Sequence, residues 1–183
     1  MTDINNDGFL DIYVCKVGDY KSLKSHNLVY LNNGDSTFKE VSKEYGLDFS
    51  GFSTQAAFLD YDSDGDMDMY LLNHSIHTTR SYGNISLRQQ KDSLAGDRFY
   101  ENKLNEGETF FADVTDASGI YSSALGYGPA ISVSDINNDG LPDIYVGNDF
   151  HENDYLYINQ GDKTFKGIHG RIFQPHVSFY HGC

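Results

Sequence analysis

A nine-residue acidic segment occurs three times in this chain and constrains its folding more than any other feature. The copies are Asp3-Ile-Asn-Asn-Asp-Gly-Phe-Leu-Asp11, Asp60-Tyr-Asp-Ser-Asp-Gly-Asp-Met-Asp68 and Asp135-Ile-Asn-Asn-Asp-Gly-Leu-Pro-Asp143. Each runs into a short apolar stretch: Ile12-Tyr13-Val14, Met69-Tyr70-Leu71 or Ile144-Tyr145-Val146. A chain built from one recurring unit stacks copies of that unit, so each copy must bury its apolar faces against its neighbours.

The repetition extends past the loop. Val29-Tyr30-Leu31-Asn32-Asn33-Gly34 with Thr37-Phe38-Lys39 matches Leu156-Tyr157-Ile158-Asn159-Gln160-Gly161 with Thr164-Phe165-Lys166. In the middle copy Phe99-Tyr100-Glu101-Asn102 and Phe110-Phe111 fill the same places. Glu40-Val41-Ser42 before Gly46-Leu47 recurs as Asp113-Val114-Thr115 before Gly119-Ile120. A full copy reads as four short strands. One (56–59, or 130–133) enters the loop and one leaves it, and a hairpin follows from Val29–Leu31 to Phe38–Val41 with turn residues Asn33-Gly34. Tyr, Phe, Val and Ile dominate these runs, as half-buried strands prefer. One weak helical stretch is expected, over 41–45. The fold class expected is therefore all-β: a β-propeller of four-stranded blades, present as an incomplete fragment of about two and a half to three blades. Repeats are expected over 1–49, 50–120 and 121–166. Residues 167–183 leave the pattern and are read as a poorly ordered tail.

Alternating carboxylates that enclose a glycine suit a hard cation. Ca²⁺ takes six to eight oxygens at about 2.3–2.6 Å, and alternate side chains of a tight loop converge on one point. The expected ligands are Asp3, Asn5, Asp7 and Asp11 with the Phe9 carbonyl in the first loop. The second offers Asp60, Asp62, Asp64 and Asp68 with the Asp66 carbonyl. The third offers Asp135, Asn137, Asp139 and Asp143 with the Leu141 carbonyl, for up to three Ca²⁺ ions in all. Asp, Asn and Gly also favour plain solvated turns, but three copies with acid or Asn at four fixed offsets favour the metal. The EF-hand is excluded, because it needs a Glu at position 12, where this chain has Val14, Leu71 and Val146.

The acidic loop entering a strand, the Tyr-x-Asn-x-Gly hairpin and the Phe-x-Asp/Glu-Val-Ser/Thr run resemble FG-GAP/VCBS repeats. These form integrin-α-type β-propellers that carry Ca²⁺ in the loop between the first two strands of a blade. Residues 57–66 and 111–115 are most similar to the cartilage acidic protein/ASPIC–UnbV group of secreted proteins. The resemblance implies a calcium-binding, non-enzymatic interaction or adhesion module, extracellular or at the cell surface. Its partner would be a glycan or an extracellular or cell-surface protein. It also implies the remaining blades of a longer exported parent chain, whose signal peptide is not in this sequence. A polysaccharide-active hydrolase or lyase built on the same scaffold is the alternative.

Composition limits the partners further. Thirteen Lys and Arg against 27 Asp and Glu give a formal charge of −14, which argues against a nucleic-acid backbone as ligand. No apolar run reaches the roughly 18 residues of a membrane span. Two cysteines, Cys15 and Cys183, make no disulfide scaffold, and Cys15 is read as a small core residue. Several weaker signals remain. The second interval between loops is longer than the first, 75 against 57 residues. This places an insertion around His74, His77 and Arg80, read as a solvated loop before a binding one. Asn73-His-Ser75 and Asn84-Ile-Ser86 fit the N-glycosylation pattern. His169, His176 and His181 with Cys183 lack compact zinc-type spacing. Asp149, His151 and Asp154 form a polar cluster in which the alternative enzyme would have to build its site.

Overall fold

The computed structural model describes residues 1–76, 90–149 and 152–169. Among these, eleven strands form three antiparallel sheets, and within each sheet the strands lie in chain order. The first sheet holds β1 (Ile12–Val14), β2 (Leu28–Asn32) and β3 (Phe38–Glu40). The second holds β4 (Ser53–Leu59), β5 (Asp68–Asn73), β6 (Arg98–Asn102) and β7 (Phe111–Asp113). The third holds β8 (Ala130–Ser134), β9 (Asp143–Gly147), β10 (Tyr155–Asn159) and β11 (Phe165–His169). Each acidic loop joins the first two strands of a full repeat. In the first repeat only a Thr2–Asp11 bridge stands where β4 and β8 run.

This is the expected all-β architecture of an incomplete propeller, with refinements. The 41–45 stretch is a single turn closed by Tyr45 N–H donating to the Val41 carbonyl at 3.0 Å, because Gly46 at φ 69° stops any helix there. In the middle hairpin Phe111 is the buried member at 3% exposure, while Phe110 stays exposed. A three-residue 3-10 turn at Leu104–Glu106 accounts for the longer connection. β11 continues to His169, beyond the boundary expected at 166.

The sheets stack face to face, and the core lies between them. Side chains alternate across a strand, so the middle repeat sends Met69 and Leu71 of β5, with Tyr100 and Phe111, toward the first repeat, against Ile4, Val29, Val41 and Leu47. It sends Tyr70, Leu72 and Phe99, with Leu59 and Tyr61, toward the third, against Ile144, Val146, Tyr157 and Phe165. This two-sided burial explains why β5 has no polar residue at alternate positions: every residue from Asp68 to Asn73 is buried. The rings pack mainly edge to face, as at Tyr61–Phe99 (4.9 Å) and Phe99–Phe165 (5.4 Å). Cys15 is half-buried against the first cluster, and burial pushes its thiol up to about 11.

A recurring pin joins the inner strands. The residue just before β2, β6 and β10 accepts a backbone N–H and meets the hydroxyl of a tyrosine. Asn27 accepts from Lys16 and donates to Tyr13 (2.8 and 2.9 Å). Asp97 accepts from Asn73 N–H and the Tyr70 hydroxyl (both 2.8 Å). Asp154 accepts from Asn148 N–H (2.8 Å) and the Tyr145 hydroxyl (2.6 Å). Asp154, named above for a catalytic cluster, is thus held as a strand pin. His151 lies outside the described residues.

Candidate metal centre

All three loops fold alike. The first aspartate accepts the N–H groups four and five residues on: Asp3 from Asp7 and Gly8, Asp60 from Asp64 and Gly65, Asp135 from Asp139 and Gly140, at 2.8–3.1 Å. The fold-back places two residues of each loop at positive φ: Asn6, Ser63 and Asn138 near 60°, and Gly8, Gly65 and Gly140 near 90°. A Cβ on any of these glycines would meet nothing within 4 Å. It is therefore backbone conformation, not crowding, that favours glycine there.

The last aspartate of each loop ties it to the sheet through both oxygens. Asp11 accepts from Ile4 and Asn32 N–H, Asp68 from Tyr61 and Asn102, Asp143 from Ile136 and Asn159, at 2.8–3.0 Å. All three are fully buried. Burial pushes Asp68 up to about 8 against its two backbone hydrogen bonds, and it raises Asp11 as well.

The loops differ at the centre. In the first, Asn5 donates to Asp7 Oδ2 at 2.9 Å, and in the third Asn137 donates to Asp139 Oδ2 at 2.8 Å. Those pairs satisfy each other. The middle loop has Asp62 instead of Asn, and the oxygens of Asp60, Asp62 and Asp68 come within 4.8 Å of one another. It is the one acidic trio of that kind among the described residues. Oxygens about 2.4 Å from a shared ion stand up to roughly twice that apart, so the spacing suits Ca²⁺. Asp64 lies outside the trio and caps the loop by accepting Asp66 N–H at 3.0 Å.

Asp62 is the informative residue. Its side chain is 4% exposed, and neither carboxylate oxygen receives a hydrogen bond. A buried carboxylate without donors is costly unless a cation compensates it. One compensating charge comes from the next repeat: Lys163 Nζ lies 2.8 Å from Asp62 Oδ2, placed as an ion pair without hydrogen-bond alignment, and 2.5 Å from Glu101 Oε1. Pairing with Asp62 and then Glu101 raises the Lys163 pKa. Asp66, expected to contribute only its carbonyl, has a fully buried side chain with Oδ1 unpaired and Oδ2 accepting Asn105 N–H at 3.2 Å. Burial lifts its pKa to about 6. The Asp at this position is visible in the middle copy alone, but its burial depends on the 3-10 turn at 104–106.

The weaker signals also find places. His74 packs on Tyr127, ring centroids 3.7 Å apart, and its backbone bridges to that residue. Asn73 is fully buried and donates to the Gly96 carbonyl at 2.7 Å, which puts its sequon out of reach of glycosylation in the folded chain. His77, Arg80, Asn84, His176, His181 and Cys183 lie outside the described residues.

Stacked four-stranded meanders with an acidic loop between their first two strands define a tandem-repeat protein of β-propeller type. The chain belongs to the FG-GAP-like repeat family, whose model matches residues 3–71 and 135–181. No curated protein matches it.

Proposed function

We propose that the chain is a Ca²⁺-binding, non-enzymatic interaction module of extracellular type, with the middle loop as its principal ion site. One observation carries the metal reading: the Asp62 carboxylate is buried against Asp60 and Asp68, with Oδ1 unpaired and only the Lys163 ammonium beside Oδ2. The donor set is all oxygen, as a hard cation requires. Ca²⁺ there would neutralise the trio, with Asp60, Asp62, Asp68 and the Asp66 carbonyl as ligands and Asp64 at the rim. The first and third loops offer Asp3, Asn5, Asp7, Asp11 with the Phe9 carbonyl, and Asp135, Asn137, Asp139, Asp143 with the Leu141 carbonyl. They form weaker sites, because an Asn amide already occupies the central Asp.

FG-GAP-like repeats are typical of extracellular, non-enzymatic proteins, and no described helix is long and apolar enough to cross a membrane. The partner in this reading is a glycan or a protein of the extracellular or cell-surface space. The narrower likeness to the cartilage acidic protein group rests on 57–66 and 111–115.

Differential scanning calorimetry with Ca²⁺ and with excess chelator tests the metal. A site of about 10⁻⁴ to 10⁻³ M in 5 mM Ca²⁺ adds roughly 1–2 kcal/mol by mass action, and Asp62→Asn should abolish most of that gain. Superimposable wild-type melts in Ca²⁺ and chelator would end the proposal. A glycan array run in both conditions tests the partner class.

A further inference from the structure

We propose, resting on the glycan partner class above, that the middle repeat carries a binding pocket for a neutral sugar residue at the end of its sheet opposite the acidic loop. A cavity of about 590 Å³ opens there, between the segments 91–98 and 113–122. Its size falls within the roughly 300–1,000 Å³ of sites that hold small ligands. Both walls belong to the middle repeat, which has a neighbouring repeat on each side. Strand direction separates the cavity from the metal ligands. The acidic loop joins the end of β4 to the start of β5, whereas the cavity lies where β6 begins at Arg98 and β7 ends at Asp113.

The walls are fixed in place. Arg98 donates to Asp113 Oδ2 at 2.5 Å and to the Ser93 carbonyl at 2.8 Å, and its guanidinium carbon lies 4.3 Å from the centroid of the Phe49 ring. Asp92 Oδ1 closes the turn on one wall by accepting the N–H groups of Leu94 and Ala95 at 2.8 and 2.9 Å. Ser118 and Ile120 N–H close the turn on the other, bonded to the Val114 and Thr115 carbonyls. The walls meet at Gly96, where a Cβ would stand 2.0 Å from Ser122 Oγ.

Repeat geometry does not require the charged groups. Devices that hold a repeat recur: Asp113 Oδ1 accepts the Thr115 N–H and hydroxyl as Glu40 Oε1 accepts those of Ser42. Arg98 does not recur, since Leu28 and Tyr155 open the corresponding strands of the other two repeats. Lys91 and Asp92 lie in the connection from β5 to β6, the longest of its kind, 74–97 against 15–27 and 148–154. Lys91 pairs with Asp116, and their side chains are 64% and 75% exposed. An ion pair so placed contributes little to stability.

The lining selects the ligand class. Both cations already face a carboxylate, so the pocket offers no uncompensated positive charge to an anion, and a cationic ligand would have to displace Lys91 or Arg98. Paired charges suit a hydroxyl, which donates to a carboxylate and accepts from the ammonium or guanidinium beside it. Neighbouring hydroxyls of a sugar ring meet that requirement beside either pair. Val114 and Ala117 give its C–H face an apolar contact.

Saturation-transfer-difference NMR in Ca²⁺ tests this with the methyl glycosides of glucose, galactose, mannose and N-acetylglucosamine, and with glucuronic acid as the anionic comparison. At least one neutral sugar is expected to bind with a Kd on the order of 1 mM, the range for a ligand of about a dozen heavy atoms, and more tightly than glucuronic acid. Lys91→Ala and Asp116→Ala should keep the wild-type melting temperature and weaken that binding at least about threefold. Arg98→Lys keeps the charge, loses the planar fork, and should weaken it about tenfold. No transfer to any neutral sugar, tighter binding of glucuronic acid, or wild-type affinity in all three variants would each overturn the pocket. In the last case sugar still binds, so the glycan reading survives and the site lies elsewhere on the chain.

Discussion

Replacing Asp97 with asparagine should stabilise the chain at neutral pH. It is 2% exposed, with one oxygen on Asn73 N–H and the other on the Tyr70 hydroxyl. Burial pushes its pKa up to about 7, more than those hydrogen bonds pull it back. The first repeat shows what a neutral residue does in the same place, since Asn27 keeps the backbone acceptor and turns its amide toward Tyr13. Asp97→Asn can do the same, and the Tyr70 hydroxyl then has the Tyr157 side chain to bond. The sign follows from linkage. A carboxyl whose folded pKa lies above its unfolded value near 3.8 binds more protons in the folded state between the two. Its contribution is therefore full below about pH 4 and lost as pH rises through about 7. With about 1.4 kcal/mol for each tenfold change in acidity, the loss reaches up to about 4 kcal/mol. Asp97→Asn should be close to wild type at pH 4 and more stable by up to that amount at pH 8. Urea unfolding of both proteins at the two pH values, in chelator throughout, measures it, and titrations shared by both proteins cancel in the difference. A variant less stable than wild type at pH 8, or a difference that does not change with pH, would refute the reasoning.

Other perturbations separate the loops and the junctions. Asp62→Asn should reduce the Ca²⁺-induced rise in melting temperature more than Asp64→Ala, and Asp64→Ala more than Asp7→Ala or Asp139→Ala; equal losses at Asp62 and Asp7 would show that convergence in the middle loop is not what selects the ion. Lys163→Met removes the ammonium beside Asp62. An exposed unit charge at about 4 Å is worth on the order of 1 kcal/mol, so Ca²⁺ should bind roughly fivefold tighter by isothermal titration, and weaker binding would contradict a competing charge. Asn102→Ala and Asn159→Ala each leave buried carbonyls unpaired and should cost about 1–3 kcal/mol in urea. Asn32→Ala should cost less than about 1 kcal/mol, and an equal cost at all three would deny the difference between inner and outer repeats.

The sequence by itself determined the parts of this protein whose causes are local. Nine residues hold all the information for the loop fold, because Asp3, Asp60 and Asp135 bond backbone groups only four and five positions away. The strands and their four-fold grouping were equally readable, since side-chain alternation and turn residues act within a hairpin. The tertiary structure decided what depends on the neighbouring repeat. The second loop exceeds the third by two carboxylates, Asp62 in place of Asn137 and Asp66 in place of Leu141, yet the trio around Asp62 also answers to Lys163, about a hundred residues away in sequence. Asn73 fits a surface sequon in sequence and lies fully buried, because both faces of β5 are covered. Asn32, Asn102 and Asn159 look identical along the chain, but only the last two meet a preceding repeat. Burial and electrostatic compensation are properties of what stands opposite a side chain, and in a stacked repeat protein that is set by the next unit.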